Sequence, residues 1–147
     1  MKVLRLLKAT GFYAVLSLII SLTLTACDKD DDEPSREEIV EQLIAGSDSK
    51  TWLIVSSTIS GTETLSDCVK DDHWTFKRTR QVSRQNQSNT CTDGFPDKEN
   101  SNWNIENDGK WLTFFDGTYE ILSLTETEMK LQFPTARGTY IDTFVSK

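Results

Sequence analysis

The chain has 147 residues, enough for one domain, and carries 23 Asp and Glu against 16 Lys and Arg, a net charge of −7. That balance excludes nucleic acid as a partner, because phosphate binding needs Lys and Arg in excess. With one histidine and three cysteines, a metal site lacks soft ligands and no Ser-His-Asp arrangement can be assembled, so neither metal, cofactor nor enzymatic activity is expected.

Met1 to Lys8 holds Lys2, Arg5 and Lys8 and no acid, and Gly11 to Leu24 is then mostly apolar. That run of about fourteen residues is shorter than the roughly 20 a spanning helix needs. A basic head, a short apolar middle and small residues at the end describe a secretory signal peptide over residues 1–26, rather than a retained anchor. Its removal takes three basic residues, leaving 13 against 23 acids and a net charge of −10. Leu24-Thr25-Ala26-Cys27 resembles the bacterial lipoprotein box. The resemblance implies a diacylglyceryl group on the Cys27 thiol and an acylated amine. Stable anchoring takes about two membrane signals, which such a cysteine supplies without a spanning helix.

Residues 27–34 read as an acidic tether: Asp28-Lys29-Asp30-Asp31-Asp32-Glu33 is too charged to fold alone. Lys29 and the acids after it are similar to the export signal of surface lipoproteins in Bacteroidetes-type bacteria. Asp28 also resembles an inner-membrane retention signal of enterobacteria, but the longer acid run fits export better. The expected location is the outer membrane, facing the cell surface rather than the periplasm. A calcium loop is rejected, because counting from Asp28 puts Glu33 where glycine and Ile39 where a bidentate glutamate is required.

The folded part, 35–147, opens on a helix over 35–45. Ser35 and Glu38 make a capping-box pattern, Gly46 stands at the stop, and Ile39, Val40, Leu43 and Ile44 form one apolar stripe. A helix this short needs a surface, so it should cover one end of the domain formed by residues C-terminal to it. Cys68 and Cys91 remain as an even pair in an exported chain, so a disulfide is the default.

Eight candidate strands come after the helix: Trp52 to Ser57, Trp74 to Lys77, Gln81 to Arg84, Asn102 to Glu106, Lys110 to Phe115, Tyr119 to Thr125, Met129 to Phe133 and Thr139 to Val145. Asn107-Asp108-Gly109 and Asp116-Gly117 read as hairpin turns in which glycine supplies the positive φ. Short links after Asn102 exclude parallel crossovers, so the sheet should be antiparallel. Closure into an all-β, up-and-down barrel removes its edges, a β-sandwich being the alternative. Alternation points Trp52, Ile54, Trp74, Phe76, Trp103, Ile105, Leu112, Phe114, Met129, Leu131 and Phe133 to one side. Tyr119 and Ile121 compete with Leu122 and Leu124 for the inside of their strand.

The helix, Trp52, the segment Cys68-Val69-Lys70-Asp71-Asp72-His73-Trp74-Thr75-Phe76, Cys91, Trp103, Asn-Asp-Gly and the closing meander together resemble the lipocalin-like domain of many Bacteroidetes lipoproteins. The resemblance covers about Lys50 to Lys147. It departs at Lys50-Thr51-Trp52, where true lipocalins have Gly-x-Trp, and at Lys77-Arg78-Thr79-Arg80, where a glycine turn is expected. It implies an eight-stranded barrel, paired cysteines and a small-ligand cavity lined by Trp52, Ile54, Trp74, Phe76, Trp103, Ile105, Phe114, Leu131 and Phe133.

The function expected is a membrane-anchored lipoprotein binding a small apolar or amphipathic ligand. The alternative is a glycan- or protein-interaction module beside outer-membrane machinery. Its contacts would be Trp111, placed to stack on a sugar, or Arg78, Arg80 and Arg84, which share one face and could meet an anion. The blander account of that basic face is a charge-protected edge strand. His73 is expected on the strand surface, and Asp71 and Asp72, which point to opposite faces, in a loop or capping role.

Overall fold

A computed structural model describes residues 33–88, 91 and 97–147. The expected signal peptide 1–26, the expected lipidation site Cys27 and the acidic stretch up to Asp32 lie outside the described residues. Helix α1 (Arg36–Ala45) is followed by β1 (Ser49–Ile59), β2 (Thr62–Glu63), β3 (His73–Lys77), β4 (Gln81–Gln85) and β5 (Lys98–Glu106). After these come β6 (Trp111–Phe114), β7 (Gly117–Leu124), β8 (Glu128–Thr135) and β9 (Gly138–Ser146).

All pairings are antiparallel, and β1 closes the sheet by pairing with β9 from Trp52↔Ser146 to Ile59↔Tyr140. The result is the expected eight-stranded, closed up-and-down barrel, with a sandwich excluded by that seam. The two-residue β2 was not legible as a strand. It folds back on the end of β1 through Thr58↔Glu63 and Ile59↔Thr62, extending the ladder beyond β3.

Two bulges set which side chains face inward. The register of β1 with β9 shifts between Ile54 and Ser56, which turns Val55 out to solvent and Ser57 in. The register of β7 with β8 shifts between Ile121 and Ser123. Leu122 is the extra residue, 45% exposed, so Tyr119, Ile121 and Leu124 all pack on the core. A bulge adds one residue on one side of a ladder, so the two competing alternations are both inward, on either side of it.

Helix α1 plugs the barrel end formed by the start of β1 and the turns after β3, β5 and β7. Ser35 Oγ accepts from the Glu38 amide at 3.2 Å while the Glu38 carboxylate accepts from the Ser35 amide at 2.7 Å. Gly46 ends the helix at φ 65°, a left-handed conformation that glycine adopts without penalty. The buried face is Val40, Ile44 and Ala45, with Ile39 turned out and 47% exposed, a shift from the expected stripe. Trp52 Nε1 donates to Ile44 O at 2.8 Å, and Lys50 Nζ donates to Leu43 O at 3.1 Å and Glu126 O at 2.5 Å. A Cβ on Gly109 would sit 3.0 Å from Val40 Cγ2, so the β5–β6 turn approaches the helix where only glycine fits without displacement.

The opposite end carries the β6–β7 and β8–β9 turns and the longer connections. Cys68, before β3, is bonded to Cys91, after β4, with Cα atoms 5.2 Å apart and a sequence separation of 23. A loop of that size contributes about 3 kcal/mol in the chain-entropy account. Reduction, or Cys68→Ala with Cys91→Ala, is expected to lower the melting temperature by roughly 10 °C. A thermal scan with unchanged midpoint would show that the bridge restrains nothing in the unfolded chain.

Candidate functional site

The half of the interior nearest α1 is filled. Trp52, Phe76, Leu112, Met129 and Leu131 are fully buried, and Trp103, Ile105, Ile54 and Phe114 nearly so. Ring contacts cross the barrel: Phe76 meets Trp103 at 5.8 Å and Phe114 at 5.4 Å, while Trp74 meets Phe114 and Phe144 at 6.0 Å each. All but two of the residues expected to line a cavity therefore belong to a packed core. Trp74 and Phe133 are the exceptions, half-buried toward the open end.

The basic face does not form as the alternation suggested. β4 begins only at Gln81, so Arg78 and Arg80 lie in the turn before it. Both are committed to the helix plug: Arg80 Nη2 meets Glu41 at 2.6 Å, Arg78 Nε lies 3.5 Å from Glu41, and Arg78 Nη1 donates to Gln42. Arg80 also carries the positive φ, 63°, that a turn glycine would have supplied, with its guanidinium 4.6 Å over Trp103. Arg84 points inward and is buried on Asp72 at 2.8 Å. The signal for this was Val82, which shares Arg84's face and is itself 1% exposed. The Asp72 carboxylate has a further donor in the amide of Asn86, oriented with its nitrogen at 3.1 Å. Asp71 serves its loop by accepting from the Ser88 amide at 3.0 Å. His73 Nε2 lies 2.9 Å from Lys147 Nζ on an exposed rim, and Trp111 is half-buried on the outer face between Glu106 and Glu120.

At the open end Tyr140 and Asp142, which the sequence did not single out, join the expected Phe133 and Tyr119. All four face inward there from three adjacent strands, by their register with Leu112, Leu131 and Ile59. Phe133 and Tyr140 stack at 5.1 Å and 9°, and Tyr119 meets Phe133 edge-on at 5.2 Å. Phe115 closes another side, 5.7 Å from Trp74.

The turn that presents Phe115 departs from expectation. Phe115 and Asp116 take the positive φ values, 46° and 60°, and Gly117 does not. A bulky residue in that region is strained. Gly117 serves a different need, since a Cβ there would run into the Tyr119 ring, which lies across it stacked on Phe114 at 4.4 Å.

Two polar atoms at this end are buried with no hydrogen-bond partner among the described residues: Trp74 Nε1, a donor, and Asp142 Oδ1, an acceptor. Burial pushes the Asp142 carboxyl above its ordinary range, against the hydrogen bond from Ser57, and the neighbouring Glu63 charge adds to the rise. Tyr119 is raised too, first by burial and then by Asp142. Glu63 moves the other way, to about 2, because its carboxylate accepts from Ser56 Oγ and the amides of Ser57 and Leu65. Glu63 is thus an anion at any ordinary pH. An unpaired buried donor and acceptor beside aromatic rings can be satisfied by a molecule that is part apolar, part polar.

On the outer face, a polar groove of about 330 Å³ runs over β3 to β5, lined by Thr75, Lys77, Gln81, Lys98, Asn100 and Asn102 among others. Residues 49–131, from the first residue of β1 into β8, match the family described as the lipocalin-like domain. No curated protein matches the chain.

Proposed function

The chain belongs to the lipocalin-like domain family, and from that premise we propose that it is a lipid-anchored, Bacteroidetes-type surface lipoprotein whose barrel binds a small amphipathic ligand at its open end. The observation that carries the binding is the pair of unpartnered polar atoms, Trp74 Nε1 and Asp142 Oδ1, set among half-buried aromatic rings. Leaving a buried polar group without a partner costs about 1–3 kcal/mol. A ligand that satisfies both groups recovers that cost as affinity. The anchor rests on Leu24-Thr25-Ala26-Cys27 and the basic, apolar segment before it. The acidic stretch after Cys27 supports export to the surface.

The closed half of the barrel leaves the ligand only the rim and upper interior. An eight-stranded barrel is just wide enough for its own side chains or for one small ligand. Here one half follows the first course, and the other is lined for the second.

Native mass spectrometry of the full chain, extracted from membranes in detergent, tests both parts. The protein is expected to carry diacylglyceryl and acyl mass on Cys27, lost in Cys27→Ser. It is also expected to release a non-covalent small molecule on denaturation. Unmodified protein would overturn the anchor. A bare barrel whose tryptophan emission does not respond to any amphiphile would overturn the binding.

A further inference from the structure

We propose that the open end selects ligands bearing an organic ammonium group, which Asp142 receives. This rests on the ligand-binding reading above and narrows it to a chemical class. Asp142 stands on β9 between Tyr140 and Phe144 on the inward face, opposite Leu131 on one side and Ser57 on the other. Its ion-pairing capacity is unused among the described residues. Several cations of the domain are paired elsewhere: Arg84 with Asp72, Arg78 and Arg80 with Glu41, Lys70 with Asp67, Lys130 with Glu128, while Arg137 stands in the β8–β9 turn at this end. Lys50 is turned to the opposite end, against Glu126, and Lys147 to His73.

The second anion of the neighbourhood, Glu63, keeps its charge through three hydrogen bonds from its own hairpin and has no cation at salt-bridge distance among the described residues. Its field and that of Asp142 add and favour a cation over a carboxylate or phosphate headgroup, against the charges of Lys70 and of Arg137 in the β8–β9 turn. The walls agree with that sign. Tyr140 stands two residues before Asp142 on the same inward face, in ring contact with Phe133 and through it with Tyr119, and aromatic rings attract an ammonium through their quadrupole. Trp74 Nε1 remains as a donor for an oxygen elsewhere on the ligand.

A carboxylate held in this way burdens the fold. Its raised folded-state value means that ionisation is harder in the native barrel than in the unfolded chain. Stability from this group is present in acid and is lost as pH rises through the folded value. Asn at this position would remove the burden.

The test compares three water-soluble probes of one shape on the full chain by calorimetry at neutral pH: 2-phenylethylammonium, 3-phenylpropionate and 3-phenylpropanol. The ammonium is expected to bind at least about tenfold tighter than the carboxylate. In Asp142→Asn that preference should fall to less than about twofold, with a urea midpoint no lower than that of the wild type. Tyr140→Leu, which keeps the carboxylate and removes one ring, should weaken the ammonium alone. It serves equally if the Asn variant does not fold. If the alcohol or the carboxylate binds as tightly as the ammonium, the selection is wrong while ligand binding stands. If none of the three binds at millimolar concentration, both fall together.

Discussion

Trp52→Ala is expected to lower folding stability by about 4 kcal/mol, read as a drop in the urea midpoint with unchanged slope. Trp52 is fully buried, lies on the first barrel strand opposite Trp74 and Ser146, and is the largest side chain in the core beneath the helix. Its indole N–H also satisfies Ile44 O, one of the last carbonyls of α1, which have no partner within the helix itself. Truncation therefore opens a large void and strands a buried acceptor together. Trp52→Phe separates the two effects: it keeps most of the packing, loses the hydrogen bond, and should cost about 1–2 kcal/mol. If the alanine variant lost less than the phenylalanine value, the helix would not be docked through this residue.

Asp72→Ala is expected to cost about 3–5 kcal/mol, a large share of the 5–15 kcal/mol that a domain of this size holds in total. Asp72 is fully buried and Arg84 is 6% exposed, with both Arg84 Nε and Nη2 at 2.8 Å from Asp72 Oδ2. Removing the acid leaves a guanidinium inside the barrel, with the Trp74 ring at 5.6 Å as its chief consolation. Most of the loss comes from that stranded charge rather than from the pair's own attraction. The double variant Asp72→Leu, Arg84→Met should consequently recover to within about 1 kcal/mol of the wild type. A double variant as unstable as the single one would mean that the ion pair itself, and not its unpaired remnant, holds this end of the barrel together.

The strand pattern was legible because an antiparallel barrel writes its inside and outside as strict alternation. Trp103 and Ile105, Leu112 and Phe114, and Met129 and Leu131 all face inward as the alternation requires. The pairing of Cys68 with Cys91 followed from cysteine arithmetic, and the helix from its capping box. Three things were hidden for physical reasons. A bulge adds a residue without changing composition, so Leu122 looked like a competitor for the core when it is the displaced residue. A left-handed turn residue need not be glycine when other contacts hold it, as Arg80, Phe115 and Asp116 show. And Arg84 looked like surface because charge normally means solvent; only its partner, twelve positions earlier and across the β3–β4 hairpin, makes an inward arginine tolerable.

The site was the least legible part. Trp74 and Phe133 were named as lining residues, but Tyr119 on β7 and Tyr140 and Asp142 on β9 reach the same place only through the pairing of both strands with β8. No local spacing relates Asp142 to Tyr119 or to Trp74. The feature that Asp142 and Trp74 share, a buried polar atom without a partner among the described residues, exists only once the neighbours have been placed.

The closing seam between β1 and β9 also has a meaning in time. It joins the first strand of the barrel to the last, so its pairs, such as Trp52 with Ser146, are among the most distant in the sequence. With β2 set aside, which only folds back on the end of β1, every other strand pair of the barrel joins consecutive strands. Those local hairpins can assemble one after another, whereas the seam has to wait for the largest loop to close. Until the final residues, 138–146, are in place, the chain is an open sheet with two bare edges, β1 and β8, each offering unpaired backbone to any other strand. The last nine-residue strand is thus what separates an intermediate at risk of edge-to-edge association from a finished barrel.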